Sequence, residues 1–539
     1  MDPVGAAIGL TSVIVAFKGV VDTLNLFDLI VTRDNGSRHL ALRYYIERRK
    51  LVIWGDEQKI DDELSSPLLQ ETKSTRTLIA GILAELRATH ELAEKYIGRY
   101  DMEEPTPRGD ETVSFSTLAT NIKELRDLKK QKSRFRWATT DKQKFTDLIE
   151  RMSSLNADLV TLVHTDSTQY LANALSFYLL PQLKDMLSLA ALQHNDMAAD
   201  PLVKLSARLK QLQTSPIEEV ANCAAYLNLE DFESLGTMQS SNRSYGFLKT
   251  TGELGVAAWI EWKVVGSDIA SEEHEKICLR IQALGSLLST AQGAEFRIPP
   301  YAGLVEDKQV RDESASKNQK FGFVFTWPSP SPARGSRPKS LLELFETQQP
   351  PLEHRFEMSY KLASSLSLLH VSKWLHKGFR SDNILFFERE DGEVAVTEPF
   401  IAGFEYSRPE GQASVETRPT VDSDLALYYH PDIPLHGFNR VRDIYSLSVV
   451  LFEIAMWAPM SEKILEGGGR PAKDMTLFEI RAFLLDSLPV LGSQMGSSFR
   501  DAVYVCLTGD FGVPEDKDGA ALARAFFAKV LKKLSYCRA

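Results

Sequence analysis

The chain has 539 residues, 43% of them hydrophobic and 25% charged, with a formal net charge of −11. That length accommodates two or three domains, each with its own core, and the balanced composition excludes both wholesale disorder and a multi-span membrane protein. An acidic total spread over so long a chain also argues against a protein devoted to nucleic acid, which needs a concentrated basic surface.

The first segment, Pro3 to Phe17, carries no charge. It is shorter than the roughly 18 to 20 residues that span a bilayer, and it has no positive flank ahead of it, so it reads as folded protein rather than a secretory signal. From Val13 the apolar residues Phe17, Val20, Val21, Leu24 and Phe27 follow steps of three and four, one face of a helix. Further helices are expected over Leu40 to Trp54, Leu68 to Tyr96, Thr117 to Lys130, Lys142 to Val163 and Leu171 to Leu192, the last with Pro181 as a kink point. Strand-like runs are absent, so residues 1–215 read as an all-α helical bundle. The weaker periodicity and Ser, Asn and Pro content of the following stretch place a linker at 216–241.

Beyond it the texture changes. Trp259 to Val265 and Phe321 to Thr326 are β-rich, with a helical stretch from Glu272 to Ser289 between them. Pro328 to Pro338 reads as a loop, and the clearest later helices are Leu341 to Thr347, Glu353 to His370, Arg440 to Trp457 and Leu477 to Leu488. Strands first and helices later predict a bilobal α+β domain over 242–539. The four cysteines, Cys223, Cys278, Cys506 and Cys537, form no CxxC pair and have no His at ligand spacing, so no metal site or disulfide framework is expected.

Phosphoryl transfer by protein kinases uses a strand lysine for the phosphates, an aspartate for the substrate hydroxyl, and an asparagine and a second aspartate for magnesium. The segment Trp374-Leu-His-Lys-Gly-Phe-Arg-Ser-Asp-Asn-Ile-Leu385 resembles the kinase catalytic loop, with His376 and Asn383 at the HRDxxxxN spacing and Gly378 at the aspartate position. Ile401-Ala-Gly-Phe-Glu405 resembles the strand ending in DFG, with Gly403 at the metal aspartate. His430-Pro-Asp432 resembles the APE turn, and Asp443 to Leu447 the large-lobe helix that follows. In the small lobe, Ala258 to Lys263 resembles the phosphate-binding strand, with Lys263 as the candidate lysine and Glu272, Glu273 or Glu275 as its carboxylate. Gly246, Gly252 and Gly255 do not make GxGxxG. The resemblance to protein kinases implies a pseudokinase without catalytic residues. It leaves ATP, held by Lys263 and Asn383, as the one cofactor still open, and an atypical kinase as the alternative.

The opening Pro3-Val-Gly-Ala-Ala-Ile-Gly-Leu10, the helix through Phe27, and Arg48 to Gly55 with its Trp54-Gly55 pair resemble the HeLo domain of fungal incompatibility proteins. That resemblance implies a helical bundle whose first segment enters membranes when the protein oligomerises, causing cell death. The inserting residues would be Val4, Ile8, Leu10, Val13 and Phe17, and Lys129, Lys130, Lys132, Arg134 and Arg136 would meet anionic headgroups. The expected protein is a cytoplasmic heterokaryon-incompatibility effector controlled by the pseudokinase domain, moving to the plasma membrane on activation. Its expected partners are membrane lipids, further copies of itself when active and an upstream activating protein, with no nucleic acid. A non-catalytic signalling scaffold is the remaining alternative.

Overall fold

The computed structural model describes residues 3–24, 35–60, 66–99, 142–162, 174–183, 186–193, 201–237, 242–249, 255–266, 271–307, 319–328, 337–389, 391–409, 424–468, 470–513 and 519–537. The chain divides into two compact units, residues 1–207 and 208–539.

The N-terminal unit is helical among its described residues: α1 (Pro3–Leu24), α2 (Asn35–Glu57), α3 (Lys73–Arg99), α4 (Lys142–Leu162), α5 (Met186–Leu192) and α6 (Pro201–Thr214), the last crossing the division. Steps of three and four put one stripe of each long helix into a shared core. Leu10, Val13, Ile14, Phe17 and Val20 come from α1, Ile79, Leu83 and Leu86 from α3, and Phe145, Ile149, Met152 and Leu159 from α4. A buried polar bridge crosses it, Asn156 Nδ2 donating to the Glu47 backbone carbonyl and to Glu47 Oε2, both at 2.9 Å. The helix expected through Leu171 to Leu192 is broken where Pro181 enters a 3-10 turn, Leu180–Gln182, as the missing amide hydrogen requires. The expected helix over Thr117 to Lys130 and the basic run through Arg136 lie outside the described residues.

The second unit is built on a five-stranded antiparallel sheet of order β1-β2-β3-β5-β4, with β1 (Phe232–Thr237), β2 (Arg243–Leu248), β3 (Val256–Val265), β4 (Tyr301–Asp307) and β5 (Gln319–Thr326). Helix α8 (Ser271–Thr290) lies between β3 and β4 in the chain. In place of the linker that the sequence predicts over 216–241, α7 (Ile217–Ala221) and β1 build most of this segment into the second unit. The two strands legible from β-branched and aromatic runs are the central pair, β3 and β5. Strands β1, β2 and β4 carry Gly, Ser and acidic residues and are held by their neighbours rather than by propensity.

The remainder is helical around α9 (Leu352–Val371), α10 (Arg440–Met456) and α11 (Leu488–Thr508). Short strands β6 (Lys339–Ser340), β8 (Ile384–Phe386) and β9 (Phe400–Ile401) form one small sheet, and β7 (Trp374–Leu375) pairs with β10 (Arg408–Pro409). Local sequence sets the starts: Asn439 Oδ1 caps α10 by accepting from the Arg442 amide, and Ser340 with Glu343, like Thr476 with Glu479, makes a reciprocal capping box. Helix α10 is buried along nearly its whole length, which places Asp443 and Glu453 inside the protein.

Candidate functional site

Asp443, on the first turn of α10, fixes the loop that carries His376 to Asn383. Its carboxylate accepts from the backbone amides of His376 at 2.8 Å and Lys377 at 2.9 Å, and lies 3.0 Å from His370 Nε2. Burial alone would raise its pKa, but the His370 contact and these amides hold it below the usual carboxylate range. A charged carboxylate with several donors thereby pins the backbone through Lys377, which sits in the left-handed region at φ 63°. The His376 ring packs edge-on against Phe404 at 4.8 Å, and burial pushes its pKa down to about 4. It is a neutral packing element at physiological pH.

At its other end the loop is tied by Glu453 of α10, which accepts from the hydroxyls of Ser381 and Tyr428 and from the Met460 amide. Burial outweighs those bonds and raises the Glu453 pKa to about 7.

Asn383 and Gly403 meet. Gly403 adopts φ +83°, and a β-carbon there would stand 2.1 Å from Asn383 Nδ2. No aspartate fits this position without displacing the asparagine. The Asn383 carboxamide is engaged at both ends: Nδ2 donates to the Gly378 carbonyl at 2.8 Å, and Oδ1 accepts from Arg243 Nη2 at 2.7 Å. Arg243, from β2, also donates Nη1 to the Asp382 carbonyl at 3.1 Å and Nε to Glu261 Oε1 at 2.9 Å. Glu261, its register partner on β3, accepts the backbone amides of Gly403 at 2.9 Å and Phe404 at 3.3 Å on its other oxygen. The pair is buried, at 12% and 2% side-chain exposure. Burial works against the Arg243 charge, but the Glu261 carboxylate keeps the guanidinium protonated. Glu405 lies in the same buried region, and burial together with the Glu261 charge lifts its pKa to about 7.

The structure therefore brings together Gly378, Asn383 and Gly403 from the expected site. Strand side chains that reach them are Arg243 and Glu261; Lys263 stands two residues farther along β3, half-buried and opposite Phe321. Glu272 pairs with Lys276 at 2.7 Å, and Glu273 lies 4.0 Å from Arg280, contacts that run along α8 itself. Asp382, beside Asn383 in the chain, accepts from Arg380 Nε at 2.6 Å. Sequence reasoning missed Arg243 and Glu261. The available signal was a glutamate in the middle of an apolar β run, a position that tolerates charge only when paired.

These residues do not fit a magnesium nucleotide. A phosphate would meet the Glu261 carboxylate where a cation is needed, the asparagine that would hold metal is committed to Arg243 and Gly378, and position 403 admits no carboxylate.

In the N-terminal unit, Leu10, Val13 and Phe17 are buried at 2%, 0% and 7% exposure, so α1 would have to leave the bundle before they met lipid. The side chains of Val4 and Ile8, and Lys129, Lys130, Lys132, Arg134 and Arg136, lie outside the described residues. Among the described residues no single helix is long and apolar enough to cross a membrane.

Comparison with known families agrees with the helical half of the sequence reading. Residues 5–192 match the HeLo family, described as prion-inhibition and propagation. No curated protein matches the chain. Residues 217–536, taking in the whole sheet and the Arg243–Asn383 cluster, match a domain of unknown function, DUF7580. Because that match covers more than half of its length, the chain belongs to the DUF7580 family, with a HeLo domain preceding the defining domain.

Proposed function

We propose that the chain is a regulated cell-death effector of the fungal incompatibility type, in which the HeLo unit permeabilises membranes and the second unit is a kinase-like regulator that transfers no phosphate. The HeLo match supports the first part, together with the uncharged stretch Pro3 to Phe17, which becomes a membrane-active surface once exposed. For the second part the carrying observation is the contact between Gly403 and Asn383, closed over by Arg243 and Glu261. The motif order from His376 to Asp443, the third-strand location of the Glu261–Lys263 segment and the packing of Phe404 on His376 support a kinase-like ancestry for that unit. Activation brings the protein from the cytoplasm to the plasma membrane as an oligomer, in response to an upstream partner.

The test is leakage of dye from anionic vesicles by residues 1–215, with Ile8→Glu as the control variant and circular dichroism to verify equal helix content. Leakage lost in the variant supports the reading; no leakage and no toxicity on expression would end it. For the second unit, thermal shift of the full chain with ATP, with and without magnesium, should show no change in melting temperature. A magnesium-dependent rise of several degrees would overturn the nucleotide-free reading.

A further inference from the structure

Strand β3 has a different task on each face. Alternation turns Trp259 and Glu261 one way and Ala258, Ile260 and Trp262 the other. Glu261 faces the loops and holds the amides of Gly403 and Phe404 together with Arg243. Ala258, Ile260 and Trp262 form a separate buried cluster with Val305 and Val324, and the side chains that pack over it include Leu227, Leu229 and Phe232.

Those covering residues belong to a strap at the start of the second unit, following α6 in the chain. It begins at α7, whose Val220 carbonyl accepts from Ser286 Oγ of α8 at 2.7 Å. It then joins the edge of the sheet: the Leu227 amide donates to the Leu304 carbonyl and the Leu304 amide to the Ala225 carbonyl, both at 2.8 Å. The strap leaves along β1, which pairs with β2, the strand bearing Arg243.

We propose that β3 couples the cleft to this strap. The Arg243–Glu261 latch and the docked segment 225–232 form one two-state device, so that opening the cleft frees the chain leading to the N-terminal unit. Shifting β2 or β3 far enough to withdraw Arg243 from Asn383, or Glu261 from Gly403, moves Ile260 and Trp262 under Leu227 and Leu229, and close-packed interfaces switch rather than deform. The inference goes beyond the proposed function, since it holds whether or not the N-terminal unit permeabilises membranes.

Hydrogen exchange of the full-length protein tests it. In Glu261→Gln, which keeps shape and removes charge, exchange should quicken roughly tenfold or more at Gly403–Phe404 and, together with it, at Leu227 and Leu304, while α9 stays protected. Leu227→Ala should produce the reciprocal change at Gly403–Phe404. Should Glu261→Gln prevent folding, Arg243→Lys serves instead, keeping the charge but losing the forked contacts to Asn383 and Asp382. A cleft that loosens without the strap, a strap variant that leaves the cleft unchanged, or no change at Gly403–Phe404 in the latch variant would each overturn the coupling.

Discussion

The ring of Phe17 lies directly on the backbone of Gly55: a β-carbon at 55 would come within 1.9 Å of Phe17 Cζ. Trp54 flanks the same ring at 6.1 Å between centroids. The Trp54-Gly55 pair that marks the sequence is thus the seat of α1, with glycine providing the hollow and tryptophan one wall. Gly55→Val should unseat Phe17 and lower the stability of the N-terminal unit by about 1 to 3 kcal/mol, the usual cost of overpacking. If departure of α1 precedes membrane entry, the same variant should also shorten the lag of vesicle leakage. A variant with wild-type exchange protection across α1 would show that Phe17 is not held there.

At the second site, restoring an aspartate should not restore chemistry. Gly403→Asp places a side chain on a left-handed backbone, costing roughly 1 to 2 kcal/mol, and drives it into Asn383. It also sets a third carboxylate beside Glu261 and Glu405. We expect a lower melting temperature and no gain of magnesium-dependent ATP binding, read by calorimetry. Binding in the single variant would show that the Arg243–Glu261 pair does not close the cleft.

How far the sequence could be read follows from which interactions are local. Helices α3, α4 and α9 announce themselves by spacing, and the break at Pro181 by a missing donor, because both signals lie within a few residues. The pairing of Arg243 with Glu261 joins residues on neighbouring strands, and their bonds to Asn383 and Gly403 cross from the sheet to the loops. No periodicity encodes such a contact. Lys263 is the natural candidate from sequence because it is a lysine near a strand end; that Glu261, two residues earlier on the same strand, holds the loop amides is not legible from the strand alone. Strands β1, β2 and β4 escaped notice for a similar reason, since their stability comes from partners distant in sequence.

Asp443 should be among the least replaceable residues in the second unit. Asn at this position keeps one acceptor but turns a donor toward an amide of His376 or Lys377, which leaves buried groups unpaired. Asp443→Asn is expected to cost about 3 to 5 kcal/mol, measured as a shift of the urea midpoint of the full chain. A shift smaller than that of an exposed control such as Asp510→Asn would mean that the loop is held by other contacts.

The two units should also respond differently to acid. In the N-terminal unit His90 is fully buried, 3.0 Å from the Tyr44 hydroxyl, and burial with the nearby Arg48 charge lowers its pKa from 6.5 to about 3. A histidine depressed in the folded state contributes its full stability above pH 6.5. Below that the unfolded chain takes up a proton that the folded one refuses, so stability falls by about 1.4 kcal/mol per pH unit until pH 3 is approached. Glu405 and Glu453, each raised by burial to about 7, have the reverse sign: between pH 4.5 and 7 the folded state keeps protons that the unfolded state releases, so these two groups contribute stability on acidification. His376, lowered to about 4, and His430, also lowered by burial, have the sign of His90 and offset that gain within the same unit. Native-state hydrogen exchange from pH 7 to pH 5 should therefore show opening free energies falling in α2 to α4 and changing less in α10. His90→Leu should remove the decline in the first unit and leave α10 unaffected; an acid-induced loss of protection that persists in α2 to α4 of that variant would exclude His90 as its source.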